Sequence, residues 1–546
     1  MKQLILFYFQ FLALVAIAQT EDAWVYFSDK PEASNYLAEP IKMLSQRSLD
    51  RRTKQSIALD NKDVPIDKNY YAQVKGSVGI TVMAKSKWLN ALHIRGTFLD
   101  ISALVTNLSF VEKVEFANKT LNTTTKIGII KKKTKSTSND RVIKKSNKRF
   151  NVKPEFNYGV ANTQVKMLGV DYLHRKGYVG KGVYIAIMDS GFLEVDVLEG
   201  FEKIRLGNQI LGGYDFVNRN EDFYKGSVHG TSVLSTISGF VNNEFVGTAP
   251  EASFYLFRTE DNTKEEPLEE SLWVEAAERA DSLGVDIINT SLGYSEFDNT
   301  AYNYVYTDMD GKTTFISRGA EVGASRGMIL VNSAGNEGKN AWKYIKAPAD
   351  APSVFTVGAV DELKNIADFS SYGPTADGRI KPDIIAQGKK TYALSIYPPY
   401  IGFIDGTSFS APLITGAIAC FWQAFPNLTY KEIMQKVRES ADRYTNPTDQ
   451  YGHGIPDFSK AYTVLSVEDL NQLEGIKVYP NPAQNYLVVD SNKNNLDISI
   501  FTALGSKIYT HTSTSKNVDV SKLTNGMYIL QLKKGSEIQT VRFLKK

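Results

Sequence analysis

The sequence holds one cysteine, Cys420, in 546 residues, which excludes internal disulfides and thiolate metal clusters. It holds five histidines, so few groups are available as an imidazole base. The formal net charge of +3 gives no global field for a nucleic-acid partner. Long apolar runs are also scarce. Leu4 to Ala16 is too short for a bilayer span and runs into Ala16-Ile17-Ala18, a small-x-small cleavage pattern. Residues 1–18 therefore read as a secretory signal peptide, and no transmembrane segment is expected in the mature chain. Cys420 itself lies in the apolar run Leu413 to Trp422 and reads as a buried, inert thiol.

The length predicts two to four domains. Between about residues 154 and 466, strand-like and helix-like stretches alternate. Among them are the strand Ser253 to Arg258, the helix Leu268 to Leu283 and the strand Val285 to Asn289. That alternation predicts an α/β fold with a mainly parallel sheet covered on both faces. The apolar run Val183 to Met188 ends in Asp189-Ser190-Gly191, so Asp189 is expected at the carboxyl end of a central strand, the edge where open sheets bind ligands. The glycines of this region precede the strand, which argues against a dinucleotide fingerprint.

Asp405-Gly406-Thr407-Ser408 leads into Ala411-Pro412 and a small, apolar run, predicting that Ser408 opens a buried helix with Pro412 in its first turn. Ser408 reads either as a helix N-cap or as a nucleophile at the positive end of a helix dipole. A nucleophilic serine needs a positioned base. His93 lies in a mixed segment, His174 reads as part of a surface helix, His453 lies in a turn, and His511 lies in a Thr/Ser-rich strand. Only His229, in Val228-His229-Gly230-Thr231-Ser232, opens a small-residue helix from a turn and is placed to aim into a cleft.

The blocks around Asp189 (IAIMDSG), His229 (HGTSVLSTISG) and Ser408 (GTSFSAP) resemble, in that order, the signatures of subtilisin-like serine proteases, the subtilases. Asn332 to Gly338 resembles the family's oxyanion-hole segment, and Ile287 to Gly293 resembles the strand along which substrate lies. The resemblance implies a three-layer catalytic domain over 154–466 with Ser408 as nucleophile, His229 as base, Asp189 as its orienting carboxylate and Asn336 in the oxyanion hole. It also implies that Ser291, Leu292, Gly293, Ser333, Ala334 and Gly335 contact protein or peptide substrates. No cofactor is implied for the chemistry. Structural calcium is common in the family, but no compact acidic loop names its ligands, and the metal site stays unknown. Tyr294 to Phe315 is longer than in compact members and reads either as a specificity loop or as an insertion packing its own aromatics. A second reading of the chain, an inactive subtilase scaffold that binds at the cell surface, would call for a damaged block, and none is seen.

Residues 19–118 mix helix- and strand-like pieces, with strands expected at Tyr71 to Lys75 and Gly79 to Met83. By position this stretch resembles the small α+β propeptide of subtilases, an intramolecular inhibitor and folding aid. Residues 119–153 are rich in Lys and Arg, contain one acidic residue, Asp140, and lack the interleaved aromatics of a nucleic-acid patch. They read as a solvated, cleavable linker. Residues 475–546 alternate with period two between short turns and predict a small β-sandwich. The Tyr479-Pro480-Asn481-Pro482 start and the Leu523 to Tyr528 stretch resemble the sorting domain with which Bacteroidetes-type bacteria export proteins by the type IX route. This implies a secreted or surface location beyond the outer membrane.

Overall fold

The computed structural model of the protein describes residues 20–122, 156–470, 476–491, 496–502, 506–513, 517–534 and 537–546. The signal-peptide reading of 1–18 and most of the basic 119–153 stretch lie outside the described residues. The chain divides into two compact units, residues 1–458 and 459–546.

Seven parallel strands organise the first unit, in the order Ile384–Gln387, Val354–Val360, Ile329–Ser333, Ile287–Thr290, Tyr184–Asp189, Ser253–Arg258, Ile210–Asp215. The central strands are apolar at successive positions because helices cover both faces: Val354–Val360 and Ile329–Ser333 are buried throughout. Helices His229–Ser238 and Thr407–Ala424 pack together on one face, and Pro267–Leu283 and Phe315–Ser325 on the other. Thr407–Ala424 is buried without a break from Thr407 to Trp422, which explains why its sequence has no polar face. Its glycine is a contact requirement. A Cβ on Gly416 would lie 2.0 Å from the Thr248 hydroxyl oxygen.

Pro412 lies deeper in this helix than its first turn. At the sixth helical position it removes an N–H that would bond the Ser408 carbonyl. The Ser291 hydroxyl donates to that carbonyl instead, at 2.9 Å. His174 also departs from expectation: it is fully buried rather than on a surface helix. Tyr158 OH lies 2.8 Å from its Nδ1 and the Thr248 carbonyl 3.0 Å from its Nε2. Burial pushes this imidazole down to about 4, so it stays neutral. Cys420 Sγ donates to the same Thr248 carbonyl at 3.2 Å, and burial drives its thiol well up. The neighbouring sulfur and imidazole therefore act as satisfied core groups.

Residues 20–122 form a four-stranded antiparallel sheet, ordered Thr81–Ser86, Ala91–Thr97, Thr20–Phe27, Val111–Phe116. Its core joins Val25, Phe27, Leu92 and Ile94 to Ile101 and Leu104 of the helix Phe98–Asn107. Tyr71 to Lys75 is helical, not a strand. Asp67 caps the helix Lys68–Lys75, its carboxylate accepting from the N–H of Asn69 at 2.8 Å and of Tyr70 at 3.0 Å.

This module covers the helices Pro267–Leu283 and Phe315–Ser325 with buried polar contacts. Glu278 accepts from Ser86 Oγ at 2.6 Å, Trp88 N at 2.9 Å and Lys87 N at 3.0 Å. Asp281 lies between Arg51 and Arg52, and Arg326 pairs with Asp60 and Asp63. His93, also buried, joins Asp22 to Ser271. The long segment after Gly293 belongs to this contact: Tyr302 OH donates to Glu21 at 3.1 Å, and Asp308 pairs with Lys119.

The second unit has two antiparallel sheets. One is ordered Ile476–Tyr479, Tyr486–Ser491, Asn517–Asp519; the other is ordered Lys507–Ser513, Leu496–Thr502, Gly526–Lys534, Glu537–Lys545. Leu487, Val489 and Val518 of the first share a core with Ile498, Ile500, Leu530 and Phe543 of the second, so the period-two pattern faces inward from both. No helix among the described residues is long and apolar enough to cross a membrane.

Because Glu278 accepts three hydrogen bonds from the 20–122 module, Glu278→Ala is expected to weaken its docking. Loss of charged-acceptor bonds worth about 3 kcal/mol corresponds to roughly a 100-fold rise in dissociation constant. Titrating the separately supplied module onto the rest of the chain by calorimetry checks this.

Candidate active site

Three loops at the carboxyl ends of adjacent parallel strands and two helix N-termini meet at one edge of the sheet. Asp189 ends the strand Tyr184–Asp189 and is fully buried. Its Oδ1 accepts from His229 Nδ1 at 2.8 Å and from the Ser190 N–H at 2.8 Å, while Oδ2 is buried without a partner. His229 is the first residue of its helix, and the side chain is 30% exposed toward the cleft. Gly230 permits the approach: a Cβ there would lie 2.3 Å from the Gly191 carbonyl and 2.9 Å from Asp189 Cβ. Donation from Nδ1 leaves Nε2 as the accepting nitrogen. Burial opposes a charge on this imidazole, but Asp189, with a smaller contribution from Glu260, holds it above its usual 6.5.

Ser408 is the second residue of the buried helix, where N–H groups have no intrahelical acceptor. Its hydroxyl donates to the Ser291 carbonyl at 3.0 Å, the return half of the bond from the Ser291 hydroxyl. The ring of the next residue, Phe409, lies 5.7 Å from the His229 ring, so the helix start and the imidazole share one wall. No hydrogen bond joins His229 to Ser408 in this structure.

Asn336 follows the strand Ile329–Ser333. Its Oδ1 accepts from Thr407 N at 2.9 Å and from Thr407 Oγ1 at 3.0 Å, and that hydroxyl oxygen accepts in turn from Gly335 N at 3.2 Å. With its carbonyl side committed, the amide nitrogen is the free end. Ser291 to Gly293 and Ser333 to Gly335 lie side by side at the carboxyl ends of two paired strands. Asn332 Nδ2 bridges them by donating to the Leu292 carbonyl at 3.0 Å and the Ser333 carbonyl at 2.9 Å. Asp189, His229, Ser408, Asn336 and both segments are thus assembled around one edge, whereas His93, His174 and His453 are held elsewhere.

Sequence reasoning missed several neighbours. Lys346 fills the space between the segments, its stem within 3.1 Å of where a Gly293 Cβ would be and 3.4 Å for Gly335; it donates to Glu337 at 3.1 Å. Glu260, Glu265 and Glu269 place carboxylate oxygens within 4.8 Å of one another. Glu260 lies close enough to Asp189 and His229 for their charges to act on it. The acidic stretch Glu260 to Glu270 was visible in the sequence, but nothing in one dimension tied it to this cleft.

Residues 180–454 match the Subtilase family, residues 22–138 the Peptidase S8 propeptide domain of Bacteroidota, and residues 477–546 the Secretion system C-terminal sorting domain. The sorting domain marks the chain for export across the outer membrane by the type IX route, to the surface or beyond. Among curated proteins, the chain is 29% identical over 318 residues to Subtilisin-like protease SBT6.1 of Arabidopsis thaliana, covering 56% of this chain and 28% of that protein. It is 31% identical over 286 residues to Subtilisin NAT of Bacillus subtilis subsp. natto, covering 52% of this chain and 66% of that one. It is 30% identical over 286 residues to the Subtilisin of Bacillus pumilus, covering 52% of this chain and 92% of that protein. The match therefore spans under a third of the Arabidopsis relative and nearly all of the Bacillus pumilus one. With half its length matching the family and a parallel-sheet fold that places the family's blocks at one edge, the chain belongs to the subtilases.

Proposed function

We propose that the protein is an exported serine endopeptidase, made as a precursor, that cleaves peptide bonds with Ser408, His229, Asp189 and Asn336. The observation that carries this reading is the 2.8 Å bond from His229 Nδ1 to the buried Asp189, set beside the helix N-terminus that presents Ser408. In the proposed reaction Ser408 turns from the Ser291 carbonyl toward His229 Nε2, which takes its proton as Oγ attacks the substrate carbonyl carbon. Asp189 holds the imidazole in that tautomer and stabilises the imidazolium. The Asn336 amide and the Ser408 N–H donate to the tetrahedral oxyanion. The imidazolium protonates the leaving amine, and water, activated by the same base, then hydrolyses the acyl-enzyme. Substrate main chain pairs with Ser291 to Gly293 as an added strand and passes Ser333 to Gly335, which selects extended segments. All steps use groups of this chain and need no cofactor.

The 20–122 module serves as the intramolecular inhibitor, released by cleavage within the basic 119–153 stretch, and the type IX machinery is the partner of the C-terminal unit. The competing reading, a binding scaffold without activity, makes the opposite prediction in each experiment below.

A fluorophosphonate probe is expected to label a shortened wild-type band and to leave Ser408→Ala unlabelled; a correctly folded, shortened wild type that stays unlabelled would refute the peptidase reading. Asn336→Leu is expected to lower kcat by about 100- to 1,000-fold with little change in KM, the effect typical for losing one oxyanion donor in enzymes of this class. Since the base must be neutral, and its folded-state pKa is raised, activity is lost as pH falls through that pKa. The acid limb of kcat/KM is expected to have its midpoint above 6.5. A stopped-rate profile from pH 5 to 9 measures it.

A further inference from the structure

We propose that Glu260, Glu265, Glu269 and the Tyr294 hydroxyl form a subsite of the cleft that accepts the side chain of a substrate lysine or arginine. This rests on the peptidase reading and adds a substrate class to it. Three carboxylates lie with acceptor atoms within 4.8 Å of one another. Tyr294, directly after the segment Ser291 to Gly293, is 0% exposed, and its hydroxyl has no hydrogen-bond partner. That hydroxyl lies within electrostatic reach of Glu260, Glu269 and Glu265, so an unpartnered donor–acceptor faces the cluster. Burial, with neighbouring carboxylates adding to it, pushes Glu260, Glu265 and Glu269 up to about 8, 7 and 9, so the cluster holds protons near neutral pH that a cation seated beside it would displace. The charge of the adjacent Lys346 acts on Glu260 and Glu265, but its ammonium is hydrogen-bonded to Glu337 at 3.1 Å and to none of the three carboxyls.

The chemistry of the donors favours an organic cation over a metal ion. Both oxygens of Glu269 already accept backbone N–H groups, from Asp261 at 2.8 Å and Glu266 at 3.2 Å. What remains falls short of the six to eight oxygens that calcium takes, whereas an ammonium or guanidinium needs three to five acceptors. Glu260 and Glu265 are only half-buried, so the cluster is open on one side. The Tyr294 ring stacks on Phe297 at 6.4 Å, and Phe297 meets Tyr304 at 5.5 Å; all three rings are buried and hold the Tyr294 hydroxyl in place.

The test is a set of fluorogenic peptides, identical except for Lys or Gln at each residue flanking the cleaved bond, given to mature wild type, Glu260→Gln/Glu265→Gln and Tyr294→Phe. At one position the Lys peptide is expected to have a kcat/KM about tenfold above its Gln counterpart, the ratio falling to about 1 in the double variant and by about threefold in Tyr294→Phe. A wild-type ratio near 1 at every position, or a ratio that survives the double variant, would overturn the proposal. So would a calcium-induced rise in Tm present in wild type and absent from the double variant, which would make this a metal site. Hydrolysis of no peptide at all would overturn the peptidase reading and this proposal with it.

Discussion

Pro412 has no N–H to give the Ser408 carbonyl, so that carbonyl must find a donor outside its own helix. The Ser291 hydroxyl supplies it, and the Ser408 hydroxyl bonds back to the Ser291 carbonyl. These reciprocal bonds pin the N-terminus of the most buried helix to the strand edge that begins the Ser291 to Gly293 segment. Thr407 extends the clamp by holding the carbonyl end of Asn336 with two bonds. A helix tied at its first turn to Ser291 and Asn336 is held in register with the sheet edge, and the groups there are positioned relative to it. The proposed reaction breaks one of these bonds, when Ser408 turns toward His229, and leaves the others as the frame.

The other face of the sheet carries a different constraint. The helix Pro267–Leu283 presents Glu270, Glu278 and Asp281 to the 20–122 module and its neighbouring segment. Burial pushes Glu270 up to about 8 and Glu278 up to about 7, because their partners are mainly neutral donors. Asp281 is fully buried too, yet Arg51 and Arg52 hold it below the usual carboxylate range. Docking thus covers Glu278 and Asp281 and compensates only Asp281 with full charges. Removing the cover returns them to water, so the same contacts that specify the docked geometry keep its affinity finite. The tyrosines after Gly293 fit this scheme: Tyr304 donates to Glu270 at 2.7 Å and Tyr302 to Glu21. The sequence left a choice between a specificity loop and an insertion packing its own aromatics; the segment does pack its own aromatics and also meets the module.

Much of the fold was legible because its signals are local. Central strands covered on both faces must be apolar at successive positions, and a helix buried all round must lack a polar face. The stretches ending at Asp189 and following Ser408 therefore announced their elements. Period-two alternation did the same for the C-terminal sheets. The errors came where a short apolar or aromatic run fits two structures. Tyr71 to Lys75 became a helix once Asp67 capped it. His174 read as a surface residue because its helix is short, and the partners that satisfy it, Tyr158 and the Thr248 carbonyl, lie elsewhere in sequence. Pro412 was assigned to a first turn because the residue that relieves it, Ser291, is 117 positions away.

The sequence by itself determined most element types, the parallel α/β class, and the candidates Asp189, His229 and Ser408. Each of these stands where an apolar run meets a glycine-containing turn, and composition changes sharply there; Asn336 was named only through the resemblance to the subtilases. Tertiary structure alone decided which carboxylates share a cleft, which lysine is already paired, and which tyrosine is buried without a partner. Those facts depend on distances between segments tens of residues apart, and such distances follow from how strands cross and helices dock. Glu260, Glu265 and Glu269 were not singled out in the sequence. Only the fold brings their carboxyl oxygens within 4.8 Å of one another, because that spacing depends on how the segment packs and not on its order along the chain.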